Sequence, residues 1–426
     1  MSVGDTIGQQ QFATTALNTR MAFALELARR LHQYGTTAPR LEMAVAGVTQ
    51  RLGLSADVWS SPTAIIISFS DLAQGEEAVA QTTQVVRLPP GEVNLQRLCQ
   101  ADDIADRVID GELDLREGFH LLRELGRPDT RREKIGAVAS YGLSAASIAA
   151  LFLRSSWVDL VVAGVIGAII GCITLLAASR PRLAVASDAI SALVATTVAI
   201  VVSAFVVPLA IKSVVLASLI ILIPGMSLTT AVREISSQHL VSGMARMGGA
   251  MSTLLKLTFG AIAATQLCAA LGIVARDLVL PALPRWTDYP ALLVAAVAFA
   301  ILFRAARRDW PAVIVAVVVG YLVTRWGSEI STSLPGAPVG VFLGGLLLGA
   351  MANVYARYAR RPGAVIREPG ILLLVPGSVG FRSMSFLLER DTTLSMDTGL
   401  LLVTLLVSLV AGLMFGDLLV SPRRSL

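Results

Sequence analysis

Charge is scarce in this chain. Of 426 residues only 15% are Asp, Glu, Lys or Arg, while 54% are hydrophobic; an ordinary soluble protein carries about a quarter charged residues. Histidine and cysteine are scarcer still, at three each. Cys99, Cys172 and Cys268 form no Cys-x-x-Cys pair and have no histidine at ligand spacing, so neither a disulfide framework, a metal site nor a cofactor is expected. A Walker motif is missing, which argues against an ATP-driven pump. The formal net charge of +5 lies in loops between apolar runs. No basic stripe with interleaved aromatics forms, so nucleic acid is not an expected partner. Met1 to Arg20 has no apolar core region, so a signal peptide is not expected and the N-terminal part is placed in the cytoplasm.

The deficit of charge is uneven. Residues 1–20 read as a disordered tail. Residues 21–133 then alternate charged and apolar side chains like a globular domain. Met21–His32 and Pro39–Leu52 read as amphipathic helices, with Thr37 as N-cap of the second. Asp57–Ser70 is strand-like and broken at Ser61-Pro62, and Gln81–Leu88 is a third strand stopped by Pro89-Pro90-Gly91. Helices over 95–110 and 113–125 complete a small α+β domain. Its His32, His120, Asp102, Asp103 and Asp106 are the candidate catalytic groups. They make no triad or metal spacing, and Asp103 and Asp106 beside Arg107 read as a solvated helix face, so an enzyme is not expected, with a membrane-anchored enzyme or sensor acting through this domain as the alternative.

From Ile135 onward long apolar runs dominate. Ten spans are expected: Gly136–Leu153, Trp157–Ala177, Val185–Val207, Ile211–Ile223, Ala250–Ala275, Tyr289–Phe303, Trp310–Val323, Val339–Val354, Ile371–Val379 and Gly399–Leu418. Basic residues in loops on the N-terminal side outnumber those opposite by more than two to one, which places both termini, including the 421–426 tail, in the cytoplasm of a multi-pass cell-membrane protein. Gly167 with Gly171, Gly340 with Gly344 and Gly345 with Gly349 mark close helix packing.

The fourth and ninth spans share one punctuation. Pro224-Gly225 and Pro376-Gly377 lie 152 positions apart (376 − 224), and the same shift brings Trp157 near Trp310. The expected fold is therefore a polytopic α-helical bundle of about ten helices, two inverted repeats of five (134–275 and 276–420), behind the α+β domain. Proline removes a backbone donor and glycine tolerates unusual torsions, so each pair breaks a helix inside the bilayer and frees polar backbone. Paired breaks point to a binding site. Ser227, Thr229, Thr230 and Arg233 follow the first break, and Ser378 and Arg382 the second. Hydroxyls suit a zwitterion and arginine suits a carboxylate. Arg233 faces inside and Arg382 outside, as gates of one pathway. Lys256 and Gln266 in the fifth span are further lining candidates, against snorkelling and helix–helix bonding. Glu234, Glu368 and Asp417 are candidates for a coupling proton, against the alternative that they pair with nearby arginines.

These residues resemble the full-length, fused form of the threonine/serine exporter family. The resemblance rests on Gly35 through Arg40 and Glu42, the VWSSPTAIIISF strand pair, VVRLPPGEVNLQRL and ADRVIDGELDL. In the membrane it rests on IPGMSLTTAVREISSQHLVSGMAR and LGGLLLGAMANVYARYARRPGAVIREPGILLLVPGS. It implies ten spans and export of L-threonine and L-serine driven by the proton motive force. Split relatives are associated with dicarboxylate export. The expected partners are the amino-acid substrate, the lipid bilayer and, as a candidate, a second copy of the chain.

Overall fold

The computed structural model describes residues 17–72, 82–153, 155–276, 278, 281–330 and 338–421. Most of the expected N-terminal tail, the last five residues and Arg154 lie outside them. Helix α1 (Leu17–Gln33) begins inside the stretch expected to be a tail. Arg20 explains this: its guanidinium donates to the Leu52 carbonyl (3.1 Å) and pairs with Asp71 (3.1 Å), so the first turn is tied to the sheet.

Helix α2 (Ala38–Arg51) follows. Thr37 is its N-cap by position but makes no side-chain capping bond; Pro39 in the first turn suits a helix start. Strands β1 (Leu54–Ser61), β2 (Ala64–Asp71) and β3 (Thr82–Arg87) form an antiparallel sheet in that order. Ser61 pairs with Ala64, so Pro62-Thr63 is the hairpin turn. The β2 alternation sends Ile65, Ile67 and Phe69 into a core with Phe23, Leu27, Leu41 and Val45. Each such large side chain contributes about 1.5–3 kcal/mol on burial. Helices α3 (Leu95–Ile109) and α4 (Leu115–Glu124) are capped by Asn94 and Asp114.

The membrane part begins at α5 (Arg131–Leu151), whose Thr130–Glu133 capping box marks the boundary. Then come α6 (Trp157–Ala178), α7 (Pro181–Phe205), α8 (Ile211–Leu219), α9 (Gly225–Ser236) and α10 (Leu240–Ala270). The second half holds α11 (Asp288–Leu302), α12 (Trp310–Ile330), α13 (Pro338–Ala359), α14 (Ala364–Ile371), α15 (Gly377–Leu388) and α16 (Thr392–Leu419). Among the described residues eight helices are long and apolar enough to cross a bilayer: α5, α6, α7, α10, α11, α12, α13 and α16. The other four are two short pairs, α8–α9 and α14–α15, each interrupted at Pro-Gly. The expected ninth span, Ile371–Val379, is therefore not one helix: 372–376 is the break itself. The fifth span starts at Leu240 rather than Ala250, because polar but helix-compatible residues extend it beyond its apolar stretch.

Packing in the two halves runs in parallel. Helix α5 packs on α6 as α11 does on α12, α7 on α10 as α13 on α16, and α9 on α10 as α15 on α16. Between halves, α5 meets α11 and α9 meets α15, while α10 meets α15 as α16 meets α9. Bounds repeat as well: α9 and α15 both have 12 residues, and each is followed by a left-handed residue, Gln238 (φ 67°) or Arg390 (φ 64°). The glycine pairs pack as their spacing suggested. A Cβ on Gly167 would meet Ala145 of α5 at 2.8 Å, and one on Gly345 or Gly349 would meet carbonyls of α16 at 2.8 Å.

The N-terminal α+β domain joins the bundle through backbone. The Leu95 and Gln96 amides, at the start of α3, donate to the Phe303 (2.9 Å) and Arg304 (3.1 Å) carbonyls at the end of α11. One helix's orphan donors thus satisfy another's orphan acceptors.

Candidate functional site

Pro224 and Pro376 stand at the N-caps of α9 and α15 with nearly the same torsions, φ −79°, ψ 44° and φ −81°, ψ 36°. Neither cap supplies a side-chain acceptor. The Gly225 amide is spent on the Ile223 carbonyl (2.8 Å) and the Val379 amide on the Pro376 carbonyl (3.1 Å), while the Met226 and Ser227 amides of α9 and the Gly377 and Ser378 amides of α15 have no backbone partner among the described residues. The two breaks touch. A Cβ on Gly225 would lie 3.1 Å from the Gly377 Cα, and one on Gly377 would lie 3.1 Å from the Gly225 Cα and 2.8 Å from Ile223 Cγ2. Only glycine allows this approach. Two positive helix ends, each equivalent to roughly half a charge, therefore converge where the halves meet.

The hydroxyls beside the breaks differ in availability. Thr229 is buried and spends its hydroxyl on the Gly225 carbonyl (3.1 Å). Ser227, Thr230 and Ser378 are half-buried, and no side-chain hydrogen bond is recorded for them among the described residues. These three remain able to meet a solute.

Further along α9, about two turns from the break, Arg233 pairs with Asp417 near the end of α16 (3.0 Å). Asp417 also accepts from Arg367 of α14 (2.7 Å) and from Asn353 of α13 (2.8 Å). Arg233 and Arg367 come from opposite halves and share this one carboxylate. Glu368 lies in the field of Arg367, Arg233 and Arg40, yet forms no ion pair or hydrogen bond among the described residues. Arg40, from the first turn of α2, reaches the same cluster. Burial, then the Arg367 guanidinium, pushes its pKa down from the ordinary value, while Asp102, Glu368 and Asp417 draw it back. Three guanidiniums thus face three carboxylates, Asp417, Glu368 and Asp102.

Glu234, a coupling candidate, is committed elsewhere. It is 1% exposed and accepts from the Ala38 amide (3.1 Å), Ser242 (2.9 Å) and both Nε (3.1 Å) and a terminal nitrogen (3.1 Å) of Arg246. Its neighbour His239 contacts Glu42 of α2 (3.0 Å). Glu234 therefore latches the α+β domain to the bundle. These four bonds, from three residues, fit the alternative reading of Glu234 as the partner of a nearby arginine.

Three other candidates lie apart. Lys256 pairs with Asp188 of α7 (3.6 Å) and is more than a third exposed. Gln266 is exposed on α10, turned away from the bundle interior. Arg382 is exposed on α15 with no ion-pair partner among the described residues. Arg233, expected as an inner gate, does not stand free but is held by Asp417. Sequence reasoning passed over Arg367 and Arg246 as loop cations and gave Arg40 no role; the REPG run next to an apolar span was the available signal for Arg367. In the α+β domain His32 lies against the Pro89 carbonyl (3.2 Å) and His120 edges onto Phe119 (5.8 Å), so these two histidines do not converge.

The fold is that of a many-span helical membrane protein, and interrupted helices that meet between two halves are a feature shared with many solute carriers. Two family profiles match the chain: "Putative threonine/serine exporter" over residues 22–268 and "Threonine/Serine exporter, ThrE" over 289–419. The chain belongs to the threonine/serine exporter family. It is similar to pheromone-regulated membrane protein 10 of Eremothecium gossypii, with 24% identity covering 85% of this chain and 49% of that protein. An uncharacterized protein of Schizosaccharomyces pombe is 23% identical over 95% of this chain and 56% of its own. Pheromone-regulated membrane protein 10 of Zygosaccharomyces rouxii is 24% identical over 95% and 43%. The chain spans about half the length of these curated relatives. No solved structure matches it.

Proposed function

We propose that the chain is a secondary exporter of small hydroxy amino acids, L-threonine and L-serine, coupled to the proton motive force. The observation that carries this reading is the contact of the two Pro-Gly breaks. Their uncapped helix ends suit a carboxylate, and the free hydroxyls of Ser227, Thr230 and Ser378 suit an ammonium or a side-chain hydroxyl. Counting α8–α9 and α14–α15 as one broken span each gives ten spans, with both termini cytoplasmic. An inverted repeat is supported by the matched packing pairs and the 152-residue recurrence. The Arg233–Asp417–Arg367 clamp, with Arg40 docked on it, reads as a closed inner gate. Glu368, the member without a hydrogen-bonded partner, is the leading proton carrier.

Dicarboxylate export is the second reading, favoured by the presence of more than one arginine near the pathway. The balance of three guanidiniums by three carboxylates weighs against a dianion and toward a zwitterion. Cells loaded with a threonine dipeptide test both readings. Threonine efflux that needs the chain, falls with a protonophore and drops in Ser227→Ala, Ser378→Ala and Glu368→Gln supports the proposal. Efflux of succinate but not threonine transfers it to the second reading, and unchanged efflux in all three variants removes the site.

A further inference from the structure

A cavity of about 560 Å³ lies between the cytosolic domain and the membrane part, walled by α3 and α4 on one side and by the start of α5 and the end of α11 on the other. That volume is ordinary for a small-molecule site. Its lining is basic. Asp129 neutralises two arginines beside it, Arg304 (2.8 Å) and Arg97 (3.0 Å). Arg107 sits at the edge, 4.0 Å from Glu112. Arg127, Arg132, Arg307 and Arg308 are exposed and have no ion-pair partner among the described residues. Of the lining carboxylates, Glu133 is engaged by the Thr130 amide (2.6 Å), and Asp103 and Glu124 are exposed on the cytosolic helices. The membrane-side wall is apolar, with Ile301, Ala300 and Trp310. The Trp310 indole donates to the Ala305 carbonyl (3.1 Å), which fixes the ring at the start of α12, and tryptophan is a residue enriched where helix ends meet a bilayer surface.

Four unpaired guanidiniums above an apolar wall fit an anion that carries hydrocarbon. We propose that this cavity binds the phosphate headgroup of an anionic phospholipid from the leaflet facing the cytosolic domain. Arginine forks match phosphate geometry, and basic pockets at this depth collect anionic headgroups. The site straddles the joint at which α3 abuts α11, so an occupied cavity ties the two parts together. It is separate from the Pro-Gly site and independent of what is exported.

The test uses the full chain in neutral detergent, with thermal unfolding as readout. Dioctanoyl phosphatidylglycerol is expected to raise Tm saturably, and dioctanoyl phosphatidylcholine to leave it unchanged. A variant carrying Arg127→Gln, Arg132→Gln, Arg307→Gln and Arg308→Gln should need at least tenfold more phosphatidylglycerol, and the single Arg307→Gln change at least twofold more. Arg180→Gln with Arg182→Gln, exposed at the start of α7, should respond like the parent. No shift with phosphatidylglycerol, or the same shift in the fourfold variant, overturns the proposal. Equal stabilisation by inorganic phosphate or glycerol phosphate assigns a soluble phosphate ligand instead and overturns the lipid.

Discussion

Replacing Gly377 with alanine tests the meeting of the two breaks directly. The added methyl would sit 2.8 Å from Ile223 Cγ2, 3.1 Å from the Gly225 Cα and 3.3 Å from the Gly225 nitrogen. Comfortable carbon contacts are about 3.5–4.0 Å, so the methyl is roughly an ångström too close to one side chain. The two backbone atoms are also too near, and no rotamer change relieves them. The half-helices must part, at the about 1–3 kcal/mol typical of overpacking. In a cooperative unfolding scan that is a fall in Tm of about 2–10 °C. Ile223→Ala removes the offending methyl group but not the backbone contact, so the double variant should recover part of the loss, with a coupling of at least about 0.5 kcal/mol. Gly248→Ala and Gly249→Ala are the controls. Both positions are exposed in the middle of α10 with nothing within 4 Å of an added Cβ, and alanine should stabilise the helix there by about 0.5–1 kcal/mol. Scans of purified protein, with substrate efflux alongside, read all five variants. A Gly377→Ala protein that matches the Gly248→Ala control in both would refute the contact and the site built on it.

Asp417→Asn leaves Arg233 and Arg367 without their shared counter-charge. The cost expected is about 2 kcal/mol, below the 3–5 of a fully buried pair because the carboxylate is 23% exposed; an unchanged Tm would discount the clamp. Glu234→Ala removes the acceptor for the Ala38 amide and the Arg246 guanidinium, so limited proteolysis should cut between the α+β domain and the bundle several-fold faster, and a parental cleavage rate would deny the latch. Burial, reinforced by the Arg246 charge and opposed by a bond to the Pro89 carbonyl, holds His32 below its ordinary pKa. The folded state keeps the ring neutral while the unfolded chain takes up a proton near pH 6.5, so this stabilisation is present above about pH 6.5 and is lost as pH falls below it. Hydrogen exchange in α1 should therefore quicken from pH 7.5 to 5.5, after correction for intrinsic rates, and less so in His32→Gln.

Local signals in the sequence located the elements well. The hairpin turn at Pro62, the stop at Pro89-Pro90-Gly91 and the helices near 95–109 and 115–124 follow from caps, breakers and periodicity acting over a few residues. The Pro-Gly breaks were equally legible, since each disrupts its own helix wherever that helix lies. What the sequence concealed was pairing at long range. Arg233 meets Asp417 across 184 positions and Ala38 meets Glu234 across 196, and nothing in either neighbourhood announces its partner. Helix α10 is apolar on most sides, so periodicity had no means to turn Gln266 outward or to place Lys256 on Asp188. Arg40 was visible only as part of a family-like stretch, because its setting is made by α9, α14 and α16.

The clamp on Asp417 also imposes an order on biogenesis. Arg233 leaves the ribosome 184 residues before its partner, and Arg367 leaves 50 residues before. At about 5–20 residues per second the first arginine waits roughly 10–40 s. During that time it must be held by water, lipid phosphate or the Glu368 made before Asp417. The bundle can close this end only after α16 is in place, so a chain stalled before its last helix would leave two guanidiniums without their shared carboxylate. Those charges would distinguish an unfinished copy from a finished one.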